Sequence, residues 1–263
     1  MEPGDPLEAP VPAPDRGGVF RRLLHLARVA VSYLTVLPIA PQEPVGPGDF
    51  AASRPFFPVA GLVVGLGWAG AAWVLHKAAV PPGVEGALLL AIPLLLTGFL
   101  HLDGLLDCAD ALLGSRPAAR RLEILKDVHL GSFAFGVGAL WMLGTWQTLC
   151  SRVDLRLLVL LPVLARALVA FWSAVFPYAR GSGLPSRFGD SIPPVGWVFL
   201  AACCAPCLVL WPGESVVALL VQFVFAFFAA RRLGGGLTGD VYGAMICLSE
   251  SAALLVHIPW KGK

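Results

Sequence analysis

The sequence predicts an all-α protein, a polytopic bundle of helices embedded in a membrane. Its 263 residues are 57% hydrophobic with a mean hydropathy of +0.77, and only 14% are charged. Soluble domains carry about 25% charged residues, so this composition excludes an ordinary soluble enzyme. The net charge of +2 gives no reason to expect a nucleic-acid partner. We therefore take the lipid bilayer as the first partner of the chain.

Long apolar segments are the second observation behind this fold class. A helix needs about 20 predominantly apolar residues to cross a bilayer. We expect six or seven membrane-spanning helices, drawn from residues 58–76, 83–100, 133–150, 157–177, 194–211, 215–230 and 241–258.

The N-terminal part of the chain lacks such a segment. Residues 1–18 are rich in proline and acidic side chains and have no apolar signal region, so we predict a flexible tail. Residues 29–39 are too short to cross a membrane and contain Pro38, which predicts an interfacial or re-entrant segment. Residues 19–263 are predicted to form a single membrane-embedded domain.

The basic residues are distributed unequally between the two sides of the predicted bundle. Alternating the spans places residues 101–132, 178–193 and 231–240 on the same side as the N-terminus. That side carries 13 Lys and Arg residues, the other side carries five, and Arg166 lies inside a span. The positive-inside rule then predicts that the three polar loops face the cytoplasm.

Three aspartates follow the second predicted span. Asp103, Asp107 and Asp110 have helical offsets that place their carboxylates within about 60° of one another. Two unit charges at 4 Å cost about 1 kcal/mol in water and several times more at a protein-like dielectric. Such a cluster at a membrane boundary is unfavourable unless a cation or substrate compensates it. Hard oxygen ligands of this kind suit Mg²⁺, which also takes ligands from phosphates.

A second acidic group follows in the same polar loop. Glu123 and Asp127 are four residues apart, and residues 114–117 (Gly-Ser-Arg-Pro) predict a turn before them. We expect a polar, cytoplasmic helical hairpin that turns the two carboxylate groups towards each other. Basic side chains suited to a diphosphate lie nearby: Arg120, Arg121 and Lys126. The alternative is a solvated loop helix with ordinary salt bridges.

The glycine-rich segment 231–240 is the second strong signal. Its glycines allow positive φ angles and close backbone approach, and a glycine-rich turn entering a helix can present N–H groups to phosphate. Asp240 at its end is a candidate metal ligand or proton acceptor. The alternative is an interhelical loop in which Asp240 caps the next helix.

Two arginines in or near the fourth predicted span also require explanation. An unpaired Arg166 in hydrocarbon would cost at least a few kcal/mol, so we expect it to face a polar interior or an acidic partner. Glu250, in the last span, is expected to pair with a cation. Arg180 begins a Gly-Ser-Gly turn over residues 180–183 and adds a cation after the span.

Glycines inside the first predicted span fit two motifs. Residues 65–70 match G-x-G-x-x-G, and Gly61 with Gly65 makes G-x-x-x-G. A dinucleotide site requires a strand before the glycines, and the preceding residues are an apolar helix pattern. The glycines therefore predict close packing against another helix.

Four ordered motifs resemble the cobalamin synthase (adenosylcobinamide-GDP ribazoletransferase) family. Residues 97–110, TGFLHLDGLLDCAD, are similar to the family's G-L-H-L-D-G-L-A-D-x-A-D. Residues 121–131, RLEILKDVHLG, are similar to R-L-E-I-M-K-D-x-x-x-G. Residues 235–244, GGLTGDVYGA, match G-G-x-T-G-D-x-x-G-A, and residues 55–61 contain the F-P-x-x-G before an early span. The resemblance runs from about residue 20 to the C-terminus.

This resemblance implies a reaction in nucleotide-loop assembly of cobalamin. A ribose hydroxyl of α-ribazole, or of its 5′-phosphate form, displaces GMP from adenosylcobinamide-GDP, with Mg²⁺ as the cofactor. It also implies a multi-pass protein of the bacterial cytoplasmic (inner) membrane with its active face towards the cytoplasm, and leaves a homo-oligomer open.

The resemblance also implies roles for individual residues. Catalytic roles are expected of Asp103, Asp107, Asp110 and Asp240. Metal binding is expected of Asp103, Asp107 and Asp110, with Glu123 or Asp127. Substrate binding is expected of His101, Arg120, Arg121, Lys126, Arg166, Arg180, Gly235, Gly236, Thr238 and Gly239.

Two other functions fit this sequence less well. CDP-alcohol phosphotransferases also place aspartates at a membrane face, but their D-G-x-x-A-R pattern needs an Arg that does not follow Asp103-Gly104 here. A cation transporter would carry acidic residues deep in several spans, whereas these lie mostly in loops on one side. Both alternatives are therefore disfavoured.

Overall fold

The structure is a computed structural model that describes residues 16–39, 41, 43–46, 48–180 and 192–258. In these ranges the regular structure is helical, and the one extended pairing is an isolated bridge between Tyr178 and Leu237. The helices are α1 (Arg16–Leu34), α2 (Asp49–Ser53), α3 (Phe57–Lys77), α4 (Pro82–Leu96), α5 (Leu100–Leu112), α6 (Ala118–Ile124), α7 (Ser132–Leu149), α8 (Leu155–Val175), α9 (Pro194–Leu210), α10 (Pro212–Leu233) and α11 (Gly239–His257). The predicted all-α fold is confirmed.

Each of the seven predicted apolar segments forms a helix, but fewer than seven cross a membrane by length and composition. Among the described residues four helices qualify: α2 continued through a 3₁₀ turn into α3, then α8, α10 and α11. The pair α4 and α5 makes a fifth only across a bend of 92°. The protein is thus a multi-pass membrane bundle, as predicted, and by length and composition alone four or five of the six or seven predicted spans qualify among the described residues. Helices α4 and α9, with 15 and 17 residues, are short for a span.

The bend between α4 and α5 explains part of this difference. Gly98 and Phe99 both adopt left-handed backbone conformations, with φ of +58° and +63°. The Phe99 N–H donates to the Leu94 carbonyl, which closes the end of α4. The predicted segment 83–100 therefore includes a turn, and α5 leaves the direction of α4.

The N-terminal region differs in part from the prediction. Helix α1 begins at Arg16, so the last three residues assigned to the tail are helical, while residues 1–15 lie outside the described part. Residues 29–34 of the predicted interfacial segment form the last six residues of α1.

Helices α3 and α8 pack without a side chain between them at two glycines. A Cβ on Gly61 would overlap the Pro162 carbonyl, and one on Gly65 would lie 2.8 Å from Val159 Cα. The predicted role of this G-x-x-x-G pair in close helix packing is confirmed.

The polar hairpin consists of α5, a turn at residues 113–117, and α6. Arg121 holds this turn together, because its buried guanidinium donates to four backbone carbonyls. The acceptors are those of Ala111, Leu112, Gly114 and Arg116, at 2.6–2.9 Å. Arg121 therefore stabilises the hairpin turn, and the structure does not bring it to the carboxylates as the substrate-binding prediction required.

Candidate functional site

A polar cleft of about 390 Å³ opens where α5, the segment after α6 and the N-terminus of α11 meet. Five carboxylates line it, three of them from α5. The lining residues that carry polar side chains are Asp103, Asp107, Asp110, Lys126, Asp127, His129 and Asp240. The structure therefore gathers four of the five predicted metal ligands and all four predicted catalytic aspartates around one space.

Two glycines allow α11 to lie directly on α5 at this cleft. A Cβ on Gly104 would lie 3.0 Å from Asp240 Cα, and one on Gly243 would lie 3.1 Å from His101 Cα. Contacts this short need a residue without a side chain on each helix. Gly104 and Gly243 therefore determine how near Asp240 comes to Asp103. Both glycines are visible in the sequence motifs, but nothing in the sequence indicates that the two helices meet at them.

Replacing Gly104 by alanine should destabilise the protein. The added methyl overlaps the Asp240 backbone, and overpacking of this kind costs about 1–3 kcal/mol. Thermal unfolding in detergent would measure the loss. The matched control is Gly70→Ala in α3, where an added Cβ meets nothing within 4 Å. Equal melting temperatures for the two variants would contradict this close approach.

Asp240 is held by two donors. Arg180 Nη2 donates to Asp240 Oδ2 (2.6 Å) and to the Leu125 carbonyl (2.9 Å), and the Thr238 hydroxyl donates to the same carboxylate oxygen (3.2 Å). Arg180 thereby links the chain after α8, the end of the hairpin and the start of α11. Arg180 and Thr238 thus act on Asp240; of the predicted turn 180–183, residues 181–183 lie outside the described part.

The positive φ angles and close backbone approach predicted for the glycine-rich turn before α11 are confirmed. Gly234 and Gly235 have φ of +86° and +105°, and a Cβ on Gly236 would lie 2.7 Å from the Pro177 carbonyl. The Gly235 N–H donates to the Ala230 carbonyl (2.8 Å). That amide closes α10, so it is not available for a phosphate. Gly239, by contrast, is in the first turn of α11 beside Asp240.

Asp110 has a structural task that spacing did not indicate. Its two carboxylate oxygens accept hydrogen bonds from the N–H groups of Gly131 (2.7 Å) and Ala134 (3.0 Å) at the start of α7. A carboxylate at a helix N-terminus satisfies otherwise unpaired N–H groups. Gly131 also has no room for a Cβ, which would overlap this carboxylate. Asp110 lines the cleft but is mainly the cap of α7.

Asp110→Ala should therefore lower the free energy of unfolding by about 0.5–2 kcal/mol, the usual cost of losing a cap. Asp110→Asn keeps one acceptor oxygen and should lose less. Thermal or denaturant unfolding of the two variants would measure this order. A larger loss of stability in Asp110→Asn than in Asp110→Ala would contradict the capping role.

The remaining acidic residues do not share a helical face. Helix α6 ends at Ile124, so Asp127 lies beyond it and turns to the cleft, while Glu123 pairs with Arg120 (2.6 Å) on the exposed side. The prediction of one face for Glu123 and Asp127 was wrong, because the helix is a turn shorter than its pattern. A hydrogen bond from His129 lowers the pKa of Asp127. Glu123 and Arg120 are not brought to the cleft.

Arg166 lies deep in the bundle with the acidic partner that its burial requires. Its Nη1 donates to Glu250 Oε1 (2.8 Å), and its Nη2 lies 3.4 Å from His101 Nδ1. The expectation of an acidic partner for Arg166 and of a cation for Glu250 is confirmed. These residues line an inner cavity separate from the cleft, so Arg166 is not brought to the carboxylates of α5.

The carboxylates do not form a complete metal cage. Within the described ranges no three His, Cys, Asp or Glu side chains converge closely enough to hold an ion by themselves. Mg²⁺ is commonly held by one or two carboxylates with waters and substrate phosphates. The cleft offers hard oxygen donors beside open space, which fits Mg²⁺ in that form and not in an all-protein site.

Comparisons with known proteins agree with one another. The model of the cobalamin-5-phosphate synthase family matches residues 26–258. An adenosylcobinamide-GDP ribazoletransferase from Deinococcus radiodurans is 41% identical over 238 residues, covering 89% of this chain and 84% of the relative. Relatives of the same name from Desulfitobacterium hafniense (36% identical; 88% and 95% covered) and Bradyrhizobium diazoefficiens (34%; 90% and 94%) are also similar. No solved structure matches. The family model covers most of the chain and its cleft, and the chain belongs to the cobalamin-5-phosphate synthase family.

Proposed function

We propose that this protein is an adenosylcobinamide-GDP ribazoletransferase. A ribose hydroxyl oxygen of α-ribazole, or a free ribose hydroxyl oxygen of α-ribazole 5′-phosphate, attacks the phosphorus next to cobinamide. The bond from this phosphorus to the bridging oxygen breaks, and GMP leaves with the bonding electrons. The products are adenosylcobalamin, or its 5′-phosphate, and GMP, and the hydroxyl proton passes to a base.

The observation that supports this most is the carboxylate-lined cleft in a chain whose relatives carry that name. Phosphoryl transfer needs little covalent chemistry from a protein beyond alignment and charge compensation. Asp103 and Asp107 share one face of α5 and would hold Mg²⁺ together with the phosphates of the substrate. When bound, that ion would offset the charge on the transferred phosphoryl group and on the departing GMP.

Two further residues, and Asp103 in an alternative role, would act on the substrates directly. Lys126 lines the cleft and offers a cation to the diphosphate. Asp240 is a candidate proton acceptor for the hydroxyl, since Arg180 and Thr238 both bind Oδ2 and thereby fix the carboxylate. Asp103 is the other candidate base, because it lies in the same wall of the cleft.

We also propose that the cleft opens to the cytoplasm from the bacterial inner membrane. The 13 basic residues assigned to this side, against five on the other, support the orientation. Contacts between the polar loops support their common side: Arg180 reaches Leu125 and Asp240, and Arg232 donates to the Leu112 carbonyl (3.0 Å).

The direct test supplies the purified protein in detergent with adenosylcobinamide-GDP, α-ribazole and Mg²⁺. Cobalamin and GMP should appear in equal amounts and be separable by chromatography. Absence of both products from folded wild-type protein would exclude the transferase function.

Removal of the divalent cation should abolish the reaction reversibly. Chelation with excess EDTA leaves the acidic cleft without its counter-charge, so product formation should stop and return when Mg²⁺ is restored. The measurement is the initial rate of GMP release before and after each addition. A rate unaffected by chelation would contradict the proposed cofactor while leaving the transferase function in place.

A further inference from the structure

A second cavity shares two aspartates with the polar cleft. We call it the aromatic chamber; it measures about 100 Å³, and its aromatic lining residues are Tyr33, Phe57 and Tyr242, beside His101. Asp103 and Asp240 line both this chamber and the polar cleft. The two carboxylates therefore border two spaces of different chemistry.

The two spaces suit different groups. The cleft has Lys126 and His129 among its carboxylates, whereas the described residues that line the chamber include no Lys or Arg. A diphosphate in the chamber would lose water without gaining a strong cation, which is unfavourable. A flat aromatic ring gains from the same surroundings, because its apolar surface is removed from water.

We propose that the aromatic chamber binds the base of the incoming nucleoside while the cleft binds the diphosphate of the other substrate. This inference rests on the proposed transferase function and divides its two substrates between two sites. The hydroxyl and the phosphorus then meet beside Asp103 and Asp240. It makes Tyr33 and Phe57 determinants of nucleoside affinity.

The aromatic residues form an ordered wall. Tyr33 stacks on Phe57 with ring centroids 6.4 Å apart and an interplanar angle of 26°, and meets Phe50 edge-on at 4.4 Å. Phe57 is only 2% exposed, at the start of α3. The Tyr33 ring, held by Phe50 and Phe57, therefore loses little conformational entropy when a base stacks on it.

The Tyr33 hydroxyl adds a polar group at the edge of the chamber. Its oxygen lies 3.8 Å from the position that a Cβ would take on Gly239, at the N-terminus of α11. Burial, with the nearby Tyr178 and Asp240, raises the pKa of Tyr33 to about 12. The hydroxyl therefore keeps its proton and can donate to a ring nitrogen or to the ribose.

Adjacent phenylalanines give a matched pair of variants. Phe57 faces the chamber, whereas Phe56 points at Phe199 of α9, with ring centroids 5.8 Å apart. Phe57→Leu should raise the KM for α-ribazole about tenfold, the scale of a lost base–aromatic stack, and leave the KM for adenosylcobinamide-GDP unchanged. Phe56→Leu should change neither, and Lys126→Ala should raise only the KM for adenosylcobinamide-GDP.

Equilibrium dialysis of α-ribazole against each detergent-solubilised variant gives a readout that does not need turnover. Weaker α-ribazole binding by Phe57→Leu than by Phe56→Leu supports the assignment of the base to the chamber. If wild-type protein binds α-ribazole in this way but forms no product, only the transferase function is excluded. Equal binding by both variants, or a raised KM for adenosylcobinamide-GDP in Phe57→Leu, overturns the assignment. Should Phe57→Leu not fold, Tyr33→Phe removes a single hydroxyl and should weaken α-ribazole binding to a smaller degree; unchanged binding would then overturn it.

Discussion

Replacing Asp103 by asparagine is expected to lower kcat by about 10²- to 10⁴-fold. Asparagine keeps the shape of the side chain but removes the negative charge that a cation or a proton requires. Asp103 is exposed and lines both the cleft and the aromatic chamber, and within the described ranges it makes no capping bond of the kind that Asp110 makes. Its loss should therefore affect chemistry far more than stability. The measurement is kcat at saturating substrates and Mg²⁺, with melting temperature as the check on folding.

The dependence on Mg²⁺ separates the two roles of this carboxylate. A lost metal ligand should shift the Mg²⁺ concentration for half-maximal rate upwards, whereas a lost proton acceptor should lower kcat at every concentration. The matched control is Glu85→Gln. Glu85 lies in the first turn of α4, at the end of that helix away from α5 and the cleft. Undiminished product formation in both Asp103→Asn and Asp107→Asn would exclude this site and leave the function intact.

Glu250→Leu is expected to produce the largest loss of stability, about 3–5 kcal/mol. Arg166 is 1% exposed and Glu250 8% exposed, so removing the carboxylate leaves a buried guanidinium without its counter-ion. Breaking such a pair costs more than the pair contributes, because the remaining charge is still excluded from water. Thermal unfolding in detergent would measure the loss.

A double variant tests this explanation. Arg166→Met combined with Glu250→Leu removes both charges and should recover most of the lost stability, since apolar replacements of buried pairs are often tolerated. The matched control is Glu123→Ala, which breaks the exposed pair with Arg120 and should cost at most about 1 kcal/mol. If the double variant were as unstable as Glu250→Leu alone, lost packing and not the unpaired charge would be the cause.

Local patterns were sufficient for the fold class and for part of the site. Apolar runs found the seven helical segments, and the offsets of Asp103, Asp107 and Asp110 placed three carboxylates on one face of α5. Because an unpaired charge in hydrocarbon is costly, the sequence also predicts an acidic partner for Arg166, and the structure places Glu250 beside it. Each of these conclusions depends on a property of a single segment, and that property can be read from the residues of the segment.

Roles among those side chains were decided only by the tertiary structure. Helical offsets made Asp110 and Glu123 site candidates, and nearness in sequence made Arg121 one, but Asp110 caps α7, Arg121 holds the hairpin turn and Glu123 pairs on the exposed side. Asp240 entered the site because Gly104 admits the backbone of α11, 136 residues further along the chain. A periodic pattern specifies the face on which a side chain lies. Which element packs against that face depends on the shapes of both, and those meet only in the folded protein.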